Sequence, residues 1–89
     1  MNSISLRKGE TPNETTLHLP GISIWFSYET PVAFRFRGER VVRENDWSTT
    51  TGKHLNRIDG GGNARADRIP GDEFERLLED ALDLLGVNA

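Results

Sequence analysis

Near the C-terminus, Phe74, Leu77, Leu78, Ala81, Leu82 and Leu85 follow one another at steps of three and one, while Asp and Glu fill most of the positions between. That spacing draws one apolar stripe along a helix. A chain of 89 residues cannot leave such a stripe in water, so the rest of the sequence must supply the surface that covers it. Pro70-Gly71-Asp72 opens the predicted helix, with Asp72, Glu73 and Glu75 near its positive end, and Gly86 is placed to close it.

The covering surface is written upstream as alternation. "TTLHLP" sets Leu17 and Leu19 against Thr16 and His18, the period of a half-buried strand. "ISIWFSYE" sets Ile22, Ile24, Phe26 and Tyr28 against Ser23, Trp25, Ser27 and Glu29, and is rich in β-favouring types. "VAFRFR" follows Thr30-Pro31, and "RVVREN" follows Gly38-Glu39. Two runs closed by a Gly-containing turn read as a hairpin. A two-residue loop at Gly38-Glu39 pairs Phe34 with Arg43; a three-residue loop sets Val42 beside Phe34, keeps the face apolar and is the register expected.

The hydroxyl run of "WSTTTGKHLNRIDGGG" offers caps, Thr50 or Thr51, for a short helix from about 50 to 58. Leu55 and Ile58 turn toward the sheet, Trp47 anchors the helix to the hairpin, and three Gly residues stop it. The expected fold is therefore α+β: an antiparallel meander of three to four strands, a short helix, and a C-terminal amphipathic helix packed on the sheet. Residues 1–89 make a single domain, with 1–15 frayed apart from a short strand around Ile4 to Leu6, and with 60–69 a flexible Gly-rich linker.

Composition narrows function mainly by exclusion. Zero Cys removes a disulfide framework, thiol catalysis and thiolate metal sites. No segment has the roughly 18 apolar residues of a membrane span, and no signal-type run opens the chain, so the expected compartment is the cytoplasm. The net charge of −3 is unevenly spread: residues 1–60 carry eight Lys/Arg against seven Asp/Glu, and residues 61–89 three against seven. Overall acidity opposes strong nonspecific DNA binding without excluding a local basic patch.

Gly52-Lys53 lacks the upstream glycine of a phosphate loop, Trp47 standing in its place. His54 beside hydroxyls suggests a base for Ser or Thr, but no spacing supplies a third group; a surface or capping His is expected, pointing outward beside Lys53. His18 and His54 alone do not define a metal site. No catalytic residue, cofactor or metal is assigned, and the protein is expected not to be an enzyme. Arg35, Arg37, Arg40 and Arg43 fall within nine positions, and Trp25 is expected to share their outer face. Arg with an exposed aromatic suits an acidic protein surface or single-stranded nucleic acid. Arg that merely solubilises the strand, pairing with Glu29 and Glu44 or with the acidic helix, is the plainer alternative.

Ser27, Tyr28, Thr30, Val32, Ala33 and Phe34, followed by Trp47, Thr50, Thr51, Lys53, His54 and Leu55, form a pattern that resembles a family of small uncharacterised proteins of phages and plasmids. The resemblance covers about residues 22–59 and implies a mobile-element accessory protein with no catalytic residue to transfer. The expected function is thus a non-enzymatic accessory protein that binds a protein partner, in a phage setting an inhibitor of host defence among other roles. Nucleic-acid binding is the alternative. The expected partner-binding residues are Trp25, Arg35, Arg37, Arg40, Arg43, Lys53 and His54, with a homodimer left open.

Overall fold

The structure, a computed structural model, describes residues 5–8, 13–45 and 49–86. Its elements run β1 (Ser5–Lys8), β2 (Glu14–Leu19), β3 (Ile22–Ser27), β4 (Thr30–Phe36), β5 (Glu39–Val42), α1 (Thr49–Asp59), a 3-10 helix (Gly62–Asp67) and α2 (Gly71–Leu84). The strands form one antiparallel sheet in chain order. The α+β class and the packing of the C-terminal helix on the meander are as the sequence predicts. The sheet has five strands rather than three or four, because Ser5–Lys8 pairs in full with β2. The rest of the arm expected to fray, residues 1–4 and 9–12, lies outside the described residues, as does Trp47 with its expected anchoring role.

Three turns of two residues connect β2 through β5, since Leu19 faces Ile22, Ser27 faces Thr30 and Phe36 faces Glu39. Two of them correct the sequence reading. The break after β3 comes at Tyr28-Glu29, not at Thr30-Pro31, which belong to β4. The β4–β5 turn is Arg37-Gly38, so Phe34 faces Val41 and Ala33 faces Val42; neither register considered from the pattern occurs. Backbone conformation decided it: Arg37 and Gly38 have φ of 54° and 82°, and two successive positive φ values fit the right-handed twist of a hairpin. Arg37 tolerates this conformation at a cost. Replacing Arg37 with Asn, which favours that region, is expected to raise stability by about 0.5–1 kcal/mol, measured as a higher melting temperature.

The sheet buries both faces. On one side Ile22, Ile24 and Phe34 pack with Phe74, Leu78 and Ala81 of α2. On the other, Val32, Ala33 and Val42 pack with Leu55 of α1, joined by Trp25 and Ile58. Strict alternation would send Val32 and Ala33 to opposite faces. A bulge opposite Trp25 and Phe26 breaks it, an extra residue on one strand reorienting its neighbours. Both side chains are consequently fully buried in the cluster under α1.

The Gly-rich stretch expected as a linker is built into this framework. Asp59 closes it as the acceptor for the Gly61 N–H and for the Arg68 guanidinium, with Arg68 Nε to Asp59 Oδ2 at 2.7 Å. Arg68 also donates to Asn56 Oδ1. Ile69 then pairs in parallel with Arg43, extending the outer edge of β5 before α2 begins.

Candidate functional site

Helix α1 presents Thr51, His54, Leu55 and Ile58 to the sheet, which is the i, i+3, i+4, i+7 stripe of an amphipathic helix. Two of the four are polar, which concealed the stripe: only Leu55 and Ile58 were legible as inward. The expectation that His54 lies on the surface beside Lys53 is wrong. His54 is 1% exposed, whereas Lys53 does point to solvent.

The buried imidazole has matched partners. Its Nδ1 shares a hydrogen bond of 2.5 Å with Ser27 Oγ, and Ser27 Oγ shares another of 3.1 Å with Thr51 Oγ1. Ser27 and Thr51 are themselves buried. Thr51 therefore faces the sheet; helix α1 begins at Thr49, and the residue preceding it lies outside the described residues. Buried polar groups are costly unless paired, and this trio joins the last residue of β3 to the first turns of α1. A Ser–His contact is also the elementary unit of nucleophilic catalysis, but Ser27 is only 2% exposed and gives a substrate no approach. The arrangement works as a tether.

Next to the tether the backbone is strained. Tyr28 has φ of 57°, uncommon for a bulky side chain, and its ring centre lies 6.0 Å from that of His54. On the other side of the imidazole a cleft of about 330 Å³ opens between α1 and strands β2 and β3. Glu14, Thr16 and Trp25 line it from the sheet, and His54, Arg57 and Ile58 from the helix. Arg57 Nη1 donates to Glu14 Oε1 at 3.0 Å across it.

The four arginines singled out in the sequence separate. Arg35 and Arg40 are exposed and stand directly opposite each other on β4 and β5, in one cross-strand row with His18 and Ser23. His18 Nδ1 and Ser23 Oγ are 2.8 Å apart. Arg37 lies in the hairpin turn, and its guanidinium stands over the Phe36 ring at 4.8 Å, on the α2 side of the sheet and not in this row. Arg43 is not part of the patch: it is buried, stacks over Phe74 at 5.5 Å and reaches Glu75 at 3.6 Å. Gly71 leaves the space that its guanidinium fills. Trp25 shares a sheet face with Arg35, as expected, but is half-buried against α1, where it lines the cleft and does not stand exposed beside the arginines. Lys53 is exposed on α1, away from the Arg row in the chain.

No group of three or more His, Cys, Asp or Glu able to hold a metal occurs among the described residues. No helix among them is long and apolar enough to cross a membrane.

Sheet, helices and tether define a small α+β domain with an antiparallel meander held between two helices. The chain belongs to DUF8033, a family of unknown function, whose model matches residues 3–76. The match spans all five strands, α1 and the opening turns of α2. No curated protein and no solved structure matches the chain.

Proposed function

We propose that the protein is a non-enzymatic accessory protein that binds an acidic protein surface through Arg35 and Arg40. The observation that carries this reading is the Arg35–Arg40 pair: two exposed cations held opposite each other on adjacent strands. Like charges so placed repel, and among the described residues neither forms a salt bridge with a carboxylate. An incoming carboxylate relieves that repulsion while gaining two charge-assisted contacts. Rim charges of this kind steer and orient a partner. In the phage or plasmid setting that the resemblance implies, a host-defence component is one partner of this kind.

Nucleic acid is the competing reading for the same arginines. It is weakened because Trp25, the aromatic expected beside the arginines, is half-buried against α1 in a cleft too small for a polymer and is not exposed in the Arg row. The discriminating measurement is a low-salt anisotropy titration with an oligoglutamate peptide, a single-stranded oligonucleotide and a duplex. The peptide is expected to bind more tightly than either nucleic acid, and the double charge reversal Arg35→Glu with Arg40→Glu to weaken it by roughly tenfold or more. Tighter binding of an oligonucleotide, or an unchanged peptide affinity in the variant, would overturn the proposal.

A further inference from the structure

The cleft beside His54 is separate from the Arg row and calls for its own ligand. Helix α1 packs its Leu55 against Ala33 and Val42 on the β4–β5 side of the sheet. Its opposite flank, His54, Arg57 and Ile58, stands across from Glu14 and Thr16 of β2 with Trp25 between. The helix is thus set to one side of the face, and the uncovered strip forms the cleft. Packing alone would favour filling this strip with apolar side chains. Five of the eight lining residues are instead polar, a carboxylate, a guanidinium, two threonines and an imidazole, beside one indole, one phenyl ring and one aliphatic side chain.

Size and charge restrict what fits. About 330 Å³ is near the lower end of small-molecule sites, roughly 300–1,000 Å³, which suits one compact molecule and no polymer. Glu14 and Arg57 are ion-paired with each other at 3.0 Å, so the charges lining the cleft cancel. A ligand with net charge would lose hydration on entering and find no unbalanced charge to offset that loss. The polar wall nevertheless offers an acceptor in Glu14, donors in Arg57, and a hydroxyl in Thr16 that does both. Trp25 and Ile58 offer apolar contact, the indole favouring a flat ring.

We propose that this cleft binds an uncharged planar heteroaromatic molecule with donors and acceptors on its rim, the chemical class of the free nucleobases. The ring lies against Trp25 and Ile58, and its polar rim meets Glu14, Thr16 and Arg57. Phosphorylation of the ligand weakens binding, because the site holds no uncompensated cation. This property separates the cleft from the Arg35–Arg40 row, which favours anions, so the two proposals fail independently.

The test is an amide-resonance titration of the full chain with adenine, guanine and uracil, and with adenosine against adenosine monophosphate. At ligand concentrations up to about 1 mM, a range that reads dissociation constants of that order, at least one base is expected to give saturable shifts. These are to map to residues 14–16, 25 and 54–58, with adenosine binding more tightly than its monophosphate. Thr16→Trp, which fills the cleft from a half-buried strand position, is expected to abolish the shifts. Absence of saturable shifts with every base overturns the proposal, as do shifts mapping elsewhere or a preference for the monophosphate. Because the wild-type map is decisive by itself, the conclusion stands or falls even if the Trp variant does not fold.

Discussion

Arg68→Ala is expected to destabilise the protein by about 3–5 kcal/mol, the usual cost of removing one partner of a buried ion pair. Arg68 and Asp59 side chains are 7% and 6% exposed, so the carboxylate left behind cannot recover full hydration. The variant also releases Asn56 and frees the loop that sets the course of the chain into α2. Domains of this size shift in melting temperature by about 4–8 °C per kcal/mol, so a fall of more than about 12 °C is expected at pH 7. A fall below about 4 °C would show that the loop is held by other contacts.

The same pair dictates a pH dependence. Hydrogen bonding from Arg68, supported by the Gly61 N–H and opposed by burial, holds the Asp59 carboxyl below its ordinary value of 3.8. Because the folded value is the lower one, the stabilisation is complete above the unfolded pKa and is lost as pH falls through the folded pKa. Wild-type stability should therefore drop on the acid side. The difference between wild type and Arg68→Ala should narrow in the same interval, followed by circular-dichroism melts from pH 7 down to about 2.

What the sequence made legible was whatever repeats with one period and one polarity. The Phe74-to-Leu85 stripe located α2 and its buried side, where Phe74, Leu78 and Ala81 are the innermost residues. The alternation of Ile22, Ile24 and Phe26 located β3. The hairpin register was not legible, because the positive φ of Arg37 and Gly38 sets it and the alternation of apolar residues does not mark Arg37 as part of the turn. Arg43 was misplaced for a related reason: past the end of β5 it leans onto the first turn of α2, where Gly71 admits it. Nothing local marks that distant glycine as its neighbour. The 60–69 segment read as a linker because glycine signals conformational freedom, while the pair that pins it, Asp59 and Arg68, is nine positions apart and outside any helix or strand period.

Substitution of His54, expected on the surface and found buried, separates two contributions. His54→Ala removes a ring that is 1% exposed, and a large-to-small change at such a site costs about 2–5 kcal/mol. It also leaves the Ser27 hydroxyl with one fewer partner, although Thr51 at 3.1 Å still engages it, so the polar share should sit near the low end of about 1–3 kcal/mol. His54→Asn isolates that share, since an amide atom can stand near the position of Nδ1 while the rest of the ring volume is lost. The expected order of melting temperature is wild type, then Asn, then Ala. Ser27→Ala in the His54→Ala background should cost less than in wild type, because its main partner has already gone. If the Ser27 effect is equal in both backgrounds, the 2.5 Å contact contributes nothing to holding α1 on β3.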